Sequence, residues 1–118
     1  MLSTVKPENV YLACGGTDMR KSINGLSIMV LEYFKEDPFA GTLFVFCNRQ
    51  RNKIKILRWE ADGFWLYYKR LEKSRFKWPD ASKTNGLHVT ERELRWLLDG
   101  LSLEQKAAHK PVKQRKTL

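Results

Sequence analysis

The chain has 118 residues, with 22 Lys or Arg against 13 Asp or Glu, for a net charge of +9. That length suits one domain, and 42% hydrophobic with 12% aromatic residues is too apolar for a disordered polypeptide. No apolar run approaches the ~18 residues of a membrane span. The opening, Met1 to Glu8, lacks the basic head and apolar stretch of a secretory signal, so a cytoplasmic protein with no membrane partner is expected. Cys14 and Cys47 stand far apart and outside any Cys-x-x-Cys pattern, which argues against a disulfide framework and a cysteine zinc site.

The excess positive charge falls in two blocks. Residues 49–77 hold 10 basic and 3 acidic side chains, and residues 105–118 hold 5 basic and none acidic. The rest of the chain is close to neutral or slightly acidic. The predicted organisation is a single α+β domain over residues 1–103 and a basic, flexible, disordered tail over 104–118, where Pro111 interrupts any periodicity.

Val10–Cys14 reads as a short strand ended by Gly15 and Gly16. Thr17 or Asp18 then offers an N-cap oxygen. Ile23, Leu26, Met29, Val30, Tyr33 and Phe34 form one stripe of a long helix running to about Lys35. Asp37-Pro38 stops it. An antiparallel β-meander follows: Thr42–Cys47, a polar tip at Asn48–Asn52, Lys53–Trp59, a turn at Ala61–Gly63, and Phe64–Leu71. A fourth meander strand is expected at Phe76–Trp78, and a last short strand at Leu87–Val89.

A five-residue tip would set Phe46 opposite Ile54 and Phe44 opposite Ile56. A three-residue second turn would set Ile56 opposite Tyr68 and keep Phe64, Leu66 and Tyr68 on the same apolar face. The Asp62-Gly63 pair suggests instead a two-residue turn, which would flip that strand. Thr90 with Glu93 forms a capping box. Leu94, Leu97, Leu98 and Leu101 then mark a short C-terminal amphipathic helix, with Gly100 at its end. Both helices are expected to pack on the antiparallel sheet.

The strongest functional signal is the basic, aromatic meander. In the three-residue register, Lys53, Lys55, Trp59, Trp65, Tyr67, Lys69 and Lys77 alternate away from the apolar face. Arg49 and Arg51 project from the tip, and Arg70, Lys73 and Arg75 gather at the far end. Cations that neutralise phosphates and rings that stack on bases suit nucleic acid. The candidate nucleic-acid-binding residues are therefore Arg49, Arg51, Lys53, Lys55, Trp59, Lys69, Arg70, Arg75 and Lys77. The same residues could serve a protein partner, or form a solvated face whose lysines block edge pairing.

Asp18, Arg20 and Lys21 form a second candidate, an anion or partner contact after the glycines. Placed in a first helical turn, Arg20 and Lys21 would oppose the helix dipole and need a compensating charge such as Asp18. The loop lacks the spacing of a Walker motif. The scattered acids, and His88 and His109 without a paired nucleophile, point to no catalytic residue, metal or cofactor.

The run Val10-Tyr11-Leu12-Ala13 through Gly16-Thr17-Asp18-Met19-Arg20-Lys21-Ser22, with Asn24-Gly25-Leu26, is followed in order by Asp37-Pro38-Phe39, Gly41–Phe46, Lys53–Leu57, Trp59-Glu60, Gly63-Phe64, Lys69–Glu72, Phe76 and Trp78-Pro79. Over about residues 5–101 this resembles the TnpB-type accessory protein, the product of the second open reading frame, of the IS-sixty-six family of bacterial insertion sequences. It is distinct from the RNA-guided nucleases that share the TnpB name. The residues matching family motifs are Asp18, Arg20, Lys21, Lys53, Trp59, Lys69, Arg70 and Trp78. Gly16 stands where relatives often carry proline.

The resemblance implies a role in efficient transposition beside a separate transposase, and brings no catalytic residue or cofactor with it. The resulting expectation is a non-enzymatic accessory protein that binds DNA, the transposon ends, with the transposase subunit of the same element as a partner. The alternative is a module that docks on the transposase without touching DNA. A metal-dependent nuclease is a third class, and the acid spacing gives it little support.

Overall fold

The computed structural model describes residues 10–103. Five strands, β1 (Val10–Ala13), β2 (Leu43–Cys47), β3 (Lys53–Glu60), β4 (Gly63–Arg70) and β5 (Gly86–Val89), form one sheet in the order β4-β3-β2-β1-β5. The expected basic tail, 104–118, lies outside the described residues.

The sheet is mixed, which corrects the antiparallel expectation. β2, β3 and β4 form the predicted antiparallel meander, but β1 runs parallel to β2 and antiparallel to β5. A parallel neighbour requires a crossover, and the helical segment between β1 and β2 supplies it. All four residues of β1 are buried. An unbroken apolar run of this kind belongs to a strand covered on both faces.

The long N-terminal helix is not present. Helix α1 spans Ile23–Ile28 and continues as one π-helical stretch, Met29–Tyr33. Residues 17–22 stay out of the helix because their polar groups are otherwise engaged. The Thr17 amide donates to the Cys47 carbonyl, and the Lys55 ammonium takes the carbonyls of Met19 and Lys21. The Ser22 carbonyl is the first to accept a helical amide, from Leu26. At the other end Phe34 donates back to Met29, and Lys35 takes a left-handed φ of 58° that stops the coil.

Helix α2 (Glu91–Leu98) has the expected capping box between Thr90 and Glu93. It ends at Gly100 (φ 83°), with Leu101 donating to Trp96 and Gly100 to Leu97, as in a Schellman turn. Phe76–Trp78 is not a strand. Its Phe76 amide bonds the Arg51 carbonyl, and the Trp78 indole bonds the Ala13 carbonyl at 2.9 Å. Both side chains are buried, so this stretch is a strap across the sheet.

The meander register also differs from expectation. Cys47 faces Ile54, Val45 faces Ile56 and Phe44 faces Leu57. The second turn contains two residues, Ala61 and Asp62, so Ile56 faces Tyr67. Ala61 adopts φ 57° there. The sheet is therefore apolar on both sides. On one side Val10, Leu12, Val45, Ile54 and Ile56 meet Phe76, Trp78, Leu94 and Leu97. On the other, Tyr11, Phe44, Phe46 and Leu57 meet Leu26, Val30 and Phe34. A strand buried on both faces loses the simple alternation from which register is read.

Candidate functional site

The observed register divides the predicted basic face in two. Successive strand residues point to opposite sides. Lys53 and Lys55 therefore share the α1 side with Leu57, Tyr68 and Arg70, while Lys69, Tyr67 and Trp65 lie on the α2 side. Alternation thus does not collect these residues on one surface. The connections do collect most of them at one end of the sheet.

That end is built from the β2–β3 tip, the start of β3, the finish of β4 and the strap. Lys53 pairs across to Arg70, and Ile54 to Lys69. The Arg51 amide closes the tip on the Asn48 carbonyl, and Asn48 also accepts from the amides of Asn52 and Lys53. The strap is tied to this tip by Phe76 to Arg51 and by the Arg75 guanidinium to the Gln50 carbonyl at 2.8 Å. Gly16 presses on the tip from the other side, where an added Cβ would stand 3.0 Å from the Arg49 Cα.

Two depressions open among these cations. An open cleft of about 520 Å³ is lined by Asp18, Met19, Arg20, Lys53, Lys55 and Tyr68. A second, of about 330 Å³, is lined by Arg51, Arg75, Phe76, Lys77 and Trp78. In the first, the Lys55 ammonium lies 5.9 Å from the centre of the exposed Tyr68 ring, within cation–π reach. Its hydrogen bonds go to neutral carbonyls, which position the charge without cancelling it.

Asp18 binds Arg20 through two oxygens, at 2.8 Å to Nη2 and 3.1 Å to Nε, and also accepts the Arg20 amide. These bonds hold the Asp18 carboxyl down at about 2. Arg20 and Lys21 precede the helix, so they do not oppose its dipole, and Asp18 compensates Arg20 directly. Arg70 is paired with Glu72 at 2.8 Å. No ion pair is found for Arg49, Arg51, Lys53, Lys69, Arg75 or Lys77 among the described residues.

Trp59 is placed elsewhere. It lies beside the far turn, about 20 Å along β3 from Lys53 at ~3.3 Å per residue, in an edge-to-face cluster with Phe39 and Phe64. Trp65 is at the same far end and donates to Glu60 at 2.7 Å. The ring that joins the cations is Tyr68, which the expected register had assigned to the buried face. The two-residue turn suggested by Asp62-Gly63 would also have flipped this strand, but the observed turn residues are Ala61 and Asp62, and Gly63 opens β4.

Cys14 and Cys47 are free and buried, and burial pushes the Cys47 thiol up to about 12. His88 contacts Glu36 at 3.3 Å and the edge of Tyr11. No group of three His, Cys, Asp or Glu side chains among the described residues could hold a metal ion. No helix among them is long and apolar enough to cross a membrane.

A family model described as IS66 Orf2-like protein matches residues 8–108. The chain belongs to this family. It is thereby a transposition-associated accessory protein of an insertion sequence, as the motif resemblance implied. Two curated relatives come from Sinorhizobium fredii. The uncharacterized protein y4hO is 35% identical over 101 residues, covering 86% of this chain and 87% of its own. The uncharacterized protein y4jC is 29% identical over 114 residues, covering 97% and 96%. No solved structure matches.

Proposed function

We propose that this IS66 Orf2-like protein assists transposition by binding the DNA of the element's ends, without catalysing a step itself. The observation that carries the proposal is the gathering of Arg49, Arg51, Lys53, Lys55, Lys69, Arg70, Arg75 and Lys77 around one end of the sheet. A duplex presents a dense row of phosphates, and cations converging on one end of a small domain release its counterions. Tyr68 adds an exposed ring beside Lys55.

Fluorescence anisotropy on labelled duplexes of element-end and scrambled sequence tests this. The expected result is binding to both, with tighter binding to the ends, and loss of both in a Lys53→Glu/Lys77→Glu variant that keeps its circular dichroism. Wild-type protein that binds neither duplex overturns the proposal.

A second reading has its own support. Ile28, Leu31 and Tyr33 lie exposed on the outer side of the crossover helix, which suits docking on the partner transposase. A pulled-down complex that survives nuclease treatment and the same charge reversals favours this reading. A complex abolished by either treatment favours the DNA-mediated one.

A further inference from the structure

β4 forms one edge of the sheet, and among the described residues no strand pairs with its outer side. Its register with β3 runs unbroken from Lys53↔Arg70 to Glu60↔Gly63. The Leu71 amide donates to the Asn52 carbonyl, and hydrogen-bonded pairs alternate along an antiparallel ladder. Gly63, Trp65, Tyr67 and Lys69 thus turn their main-chain groups toward β3, leaving those of Phe64, Leu66, Tyr68 and Arg70 facing outward. Proteins blunt such edges with short strands, charges, prolines or bulges. β5, at the opposite edge, has four residues. β4 has eight, with no proline, no bulge and no charge before Lys69.

We propose that β4 pairs antiparallel with β4 of a second copy of this chain, about a two-fold axis through Leu66 and perpendicular to the sheet. Such an axis keeps each face continuous, so residues that meet must share a face and outward-facing groups must find each other. Centres at Leu66 and at Tyr67 give the greatest overlap. Centred on Leu66, Trp65 meets the partner's Tyr67, Phe64 meets the partner's Tyr68, and Asp62 meets the partner's Arg70. Centred on Tyr67, Asp62 would meet the partner's Glu72, a like-charge pair that disfavours the register. The strand is self-complementary in charge as well as shape: Asp62 in its turn comes against the partner's Arg70, and the partner's Lys69 comes against Gly63, next to Glu60 at the end of β3. The Trp65 and Tyr67 rings, already stacked at 6.2 Å within one copy, become one half of a two-by-two patch of four rings across the junction. This pairing does not depend on the nucleic-acid proposal.

Analytical ultracentrifugation of the full chain from micromolar to millimolar concentration is the test. The expected result is a concentration-dependent species of twice the chain mass. Asp62→Lys and Arg70→Glu should each weaken it about tenfold, given two charge pairs per dimer, and the double variant should recover most of the loss. Tyr68→Pro removes an outward amide and should abolish pairing. If that variant misfolds, Leu66→Cys provides a second readout, an intermolecular disulfide on mild oxidation that Trp65→Cys does not give. A chain that stays monomeric throughout, including one that binds an added strand peptide while monomeric, overturns the proposal. So does a dimer that ignores both charge reversals and shows no Leu66→Cys cross-link.

Discussion

The Lys55 ammonium on β3 donates to the Met19 carbonyl at 2.7 Å and to the Lys21 carbonyl at 2.8 Å. One side chain thus holds open the loop that would otherwise wind into the start of the helix, and fixes a positive charge in the larger cleft. Lys55→Met should lower the unfolding free energy by about 1.5–3 kcal/mol, the usual worth of hydrogen bonds from a charged donor. Urea denaturation measures this. Amide exchange should quicken in residues 17–22 before the rest of the sheet is affected.

Asp18 gives a pH signature. Its carboxyl is held down at about 2, first by the Arg20 side-chain hydrogen bonds, against an ordinary value of 3.8. A depressed carboxyl stabilises the folded chain above its unfolded value, and that contribution is lost as pH falls through the folded value. The loop should therefore keep its geometry at pH 4 and lose it near pH 2. Carbon-detected NMR titration should show the low midpoint, and Arg20→Gln should return it toward 3.8. An unchanged midpoint in that variant would assign the shift to another cause.

The Cys47 thiol should be chemically silent in the folded protein. Burial raises it to about 12, and its side chain has no solvent exposure, so the reactive thiolate is scarce at neutral pH. Native protein at pH 8 should leave Cys47 unmodified by iodoacetamide over the time in which denatured protein is fully alkylated. Peptide mass mapping reads the site directly.

Gly86 lies beneath the Tyr11 ring, and a Cβ there would collide with the phenol oxygen and ring carbons. Gly86→Ala should cost about 1–3 kcal/mol through overpacking. In a Tyr11→Ala background the same change should cost much less, because contacting residues are not additive. Thermal or urea melts of the four-protein cycle give the coupling.

The features legible in the sequence were those governed by local chemistry. The Thr90–Glu93 box and the Gly100 terminus needed only residue type and spacing, and the strand formers of β2, β3 and β4 stood out between polar turns. The helix start was hidden because its competitor is remote: Lys55 binds carbonyls that lie 34 and 36 residues away. The parallel pairing of β1 was hidden because Val10–Ala13 carries no alternation to orient it. The one-residue register shift had a further consequence. It sent Lys69 to the α2 side, brought Tyr68 beside Lys55 and set Phe64 against Trp59, whose distance from the cations follows instead from its place at the far end of β3. The basic residues themselves were visible from charge alone. Their gathering at one end of the sheet, rather than along one face, depends on the tip and strap hydrogen bonds of Asn48, Arg51 and Arg75.

The most direct measurement is the affinity for an element-end duplex across a salt series. Engagement of ~4–6 phosphates predicts that log K falls against log salt concentration with a slope near −4 to −5. Reversing Lys53 and Lys77 should make that slope shallower by about one for each phosphate that these lysines neutralise. An affinity that stays flat between ~50 and 200 mM salt, a range over which phosphate-bound proteins weaken by orders of magnitude, would contradict an electrostatic role for the cationic end of the sheet.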